Sequence, residues 1–189
     1  MCNRYRQTKT KENLSLIFGA SILDDAPLPH QELFPKRQAA VVRKETGERG
    51  IDVMAWGFPP PAAARAPVTN VRNLASPFWR SALKRPDRRC LVPVTEFCEW
   101  SGEKGAKTEH WFSLPASEVF AFAGIWRPTE QGAAYAFLTC DPNPLVKPIH
   151  EKAMPVILHP EDYDAWLDAE VADACAMAQP FPSQLMGVA

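Results

Sequence analysis

The sequence is short of the features that most simply assign a class. It has no run of about 18 apolar residues, so no membrane-spanning helix and no membrane partner are expected. Its amino-terminal stretch carries arginines and lysines without an apolar segment behind them, which argues against a secretory signal. No CxxC pair occurs. The five cysteines (Cys2, Cys90, Cys98, Cys140, Cys175) are odd in number and scattered, and the four histidines lack zinc-like spacing. A disulfide-stapled domain and a zinc ribbon are therefore not expected. No metal and no cofactor is called for, and a reducing cytosol is the default compartment. There is no internal repeat. Nineteen prolines and nine glycines cut the chain into short pieces, so long helices are scarce.

What is present is ordinary globular composition, 189 residues with 46% hydrophobic and 23% charged content, enough for one sizeable core. A single domain over 1–189 is expected. The net charge of −1 conceals an asymmetry: residues 65–89 hold seven basic side chains and one acid, whereas 150–189 hold seven acids and one lysine. Two solvated faces would explain this. So would a local basic surface for a polyanion with an acidic segment, about 168–189, peripheral to it.

Short β-branched or aromatic runs bounded by turn residues predict strands at 39–43, 51–58, 90–94, 96–100, 119–126, 134–140 and 154–158. "ETGERG" (45–50) and "SGEKGAK" (101–107) read as connections, and "PPPAAARAP" (59–67) as an extended surface loop. Helices are expected over about 8–18, from Ser76 with Pro77 at the first helical position, over "PEDYDAWL" (160–167), and around 171–177. The fold class that follows is a β-rich α+β domain with a few peripheral helices.

Four places could carry chemistry. Cys2 would become the first residue if Met1 were removed, leaving an α-amine beside a thiol. Such an amine titrates near neutrality. It can add to an aldehyde, after which the thiol can close a five-membered thiazolidine ring; alternatively the thiolate alone could attack a carbonyl. Glu99 interrupts an apolar strand and suits a proton shuttle. His150 sits in a loop feeding a strand, where acid–base groups are often found. Asn70 and Arg72 precede a helix and could orient a substrate or hold a phosphate. Each also has a plain structural reading: a small core residue, an exposed strand acid, a loop histidine, a capping turn.

Taken in order, the blocks "MC…R", "VVR…WGF.P", "NVR", "F.EW", "FAGIW", "FLTC…N", "H…MPVIL" and a final "W" helix resemble the SRAP family (SOS response-associated peptidases, abasic-site-shielding proteins) from Cys2 to about Leu167. The resemblance implies a compact β-rich α+β fold of the SRAP type. It implies a monomer, cytoplasmic and nucleoid-associated in a bacterium, whose partner is single-stranded DNA containing abasic sites. It also implies covalent thiazolidine capture of the lesion in a DNA damage response. By that resemblance Cys2, Asn70, Glu99 and His150 form the catalytic set, Arg4 and Arg72 hold backbone phosphates, and Trp56 lies near the DNA face, where it could stack on a base. Three positions depart from the common pattern: Asn3 replaces glycine, Leu74 replaces glutamate, and "HEKAMP" is one residue longer than "HxRMP", with Lys152 in the arginine's place. Two alternatives share the same residues, a cysteine peptidase or amidohydrolase using Cys2 and a non-covalent single-strand binder.

Overall fold

A computed structural model describes residues 2–61, 65–103 and 105–189. Met1, whose removal the chemistry above requires, lies outside them, as do residues 62–64 of the proline–alanine loop and Lys104 of the 101–107 connection.

Strands dominate, as expected. In chain order they are β1 (Tyr5–Arg6), β2 (Ser21–Ile22), β3 (Glu32–Leu33), β4 (Gln38–Glu45), β5 (Glu48–Trp56), β6 (Asn70–Val71), β7 (Arg89–Val94), β8 (Glu96–Ser101), β9 (Thr108–Ser113), β10 (Phe120–Thr129), β11 (Gly132–Cys140), β12 (Met154–Pro155), β13 (Ile157–Leu158) and β14 (Gly187–Val188). Among the described residues, the α-helices α1 (Lys11–Phe18), α2 (Pro77–Leu83), α3 (Tyr163–Asp168) and α4 (Val171–Ala176) lie between them.

The two longest hairpins set the frame. β4 and β5 pair antiparallel from Gln38↔Ala55 to Glu45↔Glu48. The two residues joining them, Thr46 and Gly47, both take positive φ, 51° and 92°, as a tight twisted hairpin turn requires. β10 and β11 pair from Gly124↔Phe137 to Thr129↔Gly132. β7 bridges the hairpins by pairing with β10 and with β4. β11 then pairs parallel with β5, so β4, β5, β11, β10 and β7 close a ring. A second sheet, in the order β14-β9-β8-β1-β3, packs against this barrel.

The helices begin where sequence chemistry starts them. The Thr10 hydroxyl accepts from the Asn13 amide at the start of α1, which ends at Gly19 with φ 57°. Ser76 caps α2 by accepting from the Phe78 amide, with Pro77 in the first turn. The segment at 160–167 divides into a single 3-10 turn, Pro160–Asp162, followed by α3.

The core between the two sheets is aromatic. Trp56 stacks on Phe137 with centroids 5.3 Å apart, and Tyr5 meets Trp56 edge-on at 5.1 Å. Phe97 stacks on Phe112 at 5.0 Å and Phe122 packs on Phe137 at 4.8 Å. Few polar groups enter this core, and three of them tie its parts together. The Tyr5 hydroxyl shares a hydrogen bond with that of Tyr135, joining the small sheet to the barrel. The buried Gln7 amide donates to the carbonyls of Ala40 and Pro93 and accepts from the Ala40 amide. These bonds fix the amino-terminal strand on the barrel wall. Arg89, fully buried, donates to the carbonyls of Leu83, Trp166 and Ala169, tying together the ends of α2 and α3.

The acidic carboxyl-terminal segment is not peripheral, contrary to expectation. Phe181 and Met186 are buried, the Asn143 amide donates to the Phe181 carbonyl, and β14 extends the small sheet by pairing with β9. The reason is the apolar content of the segment: its acids stay outside while its few large side chains find the core edge.

Candidate active site

Cys2 enters the structure just before β1, and its carbonyl accepts a hydrogen bond of 3.0 Å from the Asn70 side-chain amide. Asn70 is held in turn by its strand: β6 pairs parallel with β11, with Asn70 opposite Phe137. The same amide donates to the Thr69 hydroxyl at 2.8 Å, so its orientation is fixed by two partners. The Cys2 thiol is 1% exposed and donates weakly to the carbonyls of Arg4 (3.5 Å) and Cys98 (3.9 Å). Burial pushes its pKa well above the ordinary thiol range, and the charge of Glu99 pushes the same way. The thiol is therefore neutral at pH 7.

Glu99 projects from β8 into the same recess and is 2% exposed. Burial raises its pKa to about 7, against the opposing charge of the chain's amino terminus. His150 brings its Nε2 to 4.0 Å from the Glu99 carboxylate, while its Nδ1 lies 2.8 Å from the Ala153 carbonyl. Burial lowers the pKa of His150. The acid and the base thus both move toward their neutral forms, which lets one proton pass between them or to a third group at little cost near neutrality.

The loop carrying His150 is built by Asn143, 3% exposed, whose side-chain oxygen accepts from the amides of Leu145 and Val146. The Val146 carbonyl then accepts from the amides of Ile149 and His150. Among the described residues, two buried acceptors of the recess, Asn70 Oδ1 and Glu99 Oε1, have no hydrogen-bond donor. Beside them opens a cavity of about 660 Å³, lined by Trp100, Ser101, Lys147, His150 and Lys152. Lys152, which takes the arginine's place in "HEKAMP", lines this cavity with His150. Ser101 is hydrogen-bonded to His110 at 2.7 Å, and His110 faces Glu99 across β8 and β9.

The structure thus brings together Cys2, Asn70, Glu99 and His150 from four separate stretches of sequence. It does not bring Trp56 to a surface. Trp56 is fully buried, wedged between Tyr5 and Phe137, with its indole N–H donating to the Thr69 carbonyl at 3.2 Å. A base cannot stack on it. Its role is to hold β5 and the strand leading to Asn70, and the expectation of DNA contact is corrected.

Arg4 lies two residues from Cys2, but its guanidinium is already engaged. Glu32 and Glu109 each contact it at 2.6 Å, and it lies against the rings of Phe34, Trp100 and Trp111. Arg72 is paired with Asp141. The basic stretch 65–89 is also thinner than its count. Arg89 is buried, and Arg85 and Arg88 share Asp87. Sequence reasoning missed β9, and with it Glu109, His110 and Trp111. "TEHWFS" alternates weakly and follows a glycine- and lysine-rich loop, so its only signal was the Trp–Phe pair.

Relatives of the chain are found both in sequence and in fold. The abasic site processing protein YoaM of Bacillus subtilis (strain 168) is 27% identical over 152 residues, 74% of this chain and 66% of that protein. The abasic site processing protein YedK of Escherichia coli (strain K12) is 22% identical over 189 residues, 91% of this chain and 82% of that one. In fold, a crystal structure of a protein from Bordetella bronchiseptica superposes with a TM-score of 0.83 at 24% identity, covering 100% of this chain and 98% of that one. Another from Bacteroides thetaiotaomicron gives 0.82 at 20% identity, covering 99% and 90%. The family described as SOS response associated peptidase matches residues 1–189, the whole chain from the Cys2 strand to the last strand of the small sheet, and the protein belongs to that SRAP family.

Proposed function

We propose that this protein processes abasic sites in single-stranded DNA, capturing the ring-opened sugar aldehyde on Cys2 once Met1 has been removed. The observation that carries the reading is the fixed Cys2: its carbonyl is bound by Asn70, and the same recess holds a buried carboxyl that titrates near neutrality, with a histidine 4.0 Å from it. The names of the two bacterial relatives support the substrate class.

The α-amine of Cys2 attacks the aldehyde carbon, a C–N bond forms, and the carbonyl oxygen leaves as water with two amine protons. The thiol sulfur then adds to the imine carbon, and its proton passes to nitrogen, closing the ring. Glu99, with a pKa near the working pH, is suited to protonate the departing oxygen and to recover the proton. His150 can exchange that proton with it, and Asn70 keeps the amine and thiol of Cys2 in one orientation, which converts two encounters into one. The unpartnered acceptors Asn70 Oδ1 and Glu99 Oε1 suit the N–H donors of a free Cys2 amine.

A neutral, buried thiol favours this amine-first order over a thiolate nucleophile, and so weighs against the cysteine peptidase reading. The test is a denaturing gel with an abasic single-stranded oligonucleotide. The expected product is a covalent band with the mass of both partners less one water, on protein lacking Met1. A band of equal strength from Cys2→Ala, or salt-dependent binding with no covalent band at all, would refute the mechanism.

A further inference from the structure

The arginine that resemblance assigns to a backbone phosphate is held by acids, and the acids are placed to be read as such. Arg4 is clamped by Glu32 and Glu109, each at 2.6 Å, and its side chain is 15% exposed, against 31% and 40% for the two carboxylates. Arg6, alongside, contacts Glu32 and Glu96 and lies 3.7 Å from the Trp111 ring centroid. Arg37 leans on Phe34 and donates to the Glu32 carbonyl. Arg4 and Arg6 thus lie among three carboxylates, Glu32, Glu96 and Glu109, so that neither guanidinium is left as an uncompensated positive charge. Arg72 repeats the arrangement with Asp141.

A phosphate arriving at Arg4 must displace one of its carboxylates or sit within a few ångströms of both. At 6 Å in a largely aqueous setting, a like-charge encounter costs a factor of about three in affinity, and more where solvent is partly excluded. Freeing Arg4 would add a phosphate contact and release another counterion.

Resting on the proposed function, we infer that Glu109 and Glu32 are specificity-determining residues. By occupying Arg4 they weaken non-covalent binding of undamaged single strands, so that lasting retention depends on the covalent step at Cys2. The protein then passes over intact DNA and stays where an aldehyde is present.

The test measures fluorescence anisotropy of an undamaged single-stranded oligonucleotide over a range of salt, with protein lacking Met1. Glu109→Gln is expected to tighten binding about three- to ten-fold at low salt and to steepen the log–log salt dependence by about 0.7, one added phosphate contact. Glu32→Gln should do the same to a similar degree. Asp173→Asn, which removes one exposed acid from α4, controls for net charge and should change neither quantity. Unchanged or weaker binding in both Glu variants would overturn the inference, as would equal tightening in Asp173→Asn. The abasic gel assay on the unsubstituted protein is read separately. Absence of a crosslink there would sink the proposed function, whereas a crosslink together with unmoved variant affinities would sink only the inference.

Discussion

Replacing Glu99 by glutamine should make the protein more stable at alkaline pH while slowing its chemistry. The carboxyl is buried and its pKa stands at about 7 against an ordinary 4.5, so the folded state prefers it protonated. Below pH 4.5 folded and unfolded chains both hold the proton, and no penalty exists. From there to about 7 the unfolded chain has released the proton and the folded one has not, so stability falls as pH rises. Above 7 the folded state bears the full cost of a desolvated carboxylate, about 3 kcal/mol for a pKa displacement of this size. Glutamine matches the neutral acid in shape and never ionises. Urea unfolding at pH 4, 5, 6, 7 and 8 should therefore show the two proteins converging toward pH 4, with Glu99→Gln ahead by up to about 3 kcal/mol at pH 8. His150, whose pKa is lowered, acts in the opposite sense, losing stability as pH falls below its unfolded value, but it is present in both proteins and largely cancels in the difference. Parallel stability curves from pH 5 to 8 would refute the reasoning, because they would mean that Glu99 is not desolvated.

Trp56→Ala should lower stability by about 3–5 kcal/mol through the cavity left between Tyr5 and Phe137, seen as a lower Tm, whereas Trp56→Phe should retain crosslinking. Asn70→Ala should slow crosslinking while the Tm falls only modestly, since the lost donor to the Cys2 carbonyl is worth about 1–3 kcal/mol when its partner stays buried; a crosslinking rate equal to the parent's would contradict the positioning role. Arg89→Met should lower the urea midpoint without touching the chemistry, because three buried carbonyls at the ends of α2 and α3 lose their donor.

The long strands were legible because their residues are β-branched or aromatic and their ends are marked by Gly, Pro or Asn. The strand expected at 39–43 is β4 and that at 134–140 lies within β11. The capped helices were legible for the same local reason: Ser76 followed by Pro77 leaves a chain few other conformations. β9 was not, since its pairing with β8 supplies an order that its own residues do not encode. The site divides along the same line. Cys2, Asn70, Glu99 and His150 could be picked out by residue type and order, but their meeting in one recess depends on the parallel β6–β11 pairing and on the Asn143-built loop, both long-range facts. Trp56 was misjudged because an aromatic in a strand looks the same from sequence whether it faces the core or the solvent.

The shared hydrogen bond between Tyr5 and Tyr135 has an evolutionary corollary. Each hydroxyl is the other's buried partner, so a change to phenylalanine at either position strands a polar atom in an aromatic core, while the same change at both removes the problem. The two positions should be strongly epistatic, with each single phenylalanine substitution worse than the pair. A lineage losing one hydroxyl must pass through a less stable ancestor before it can lose the other, so these two tyrosines should persist or disappear together.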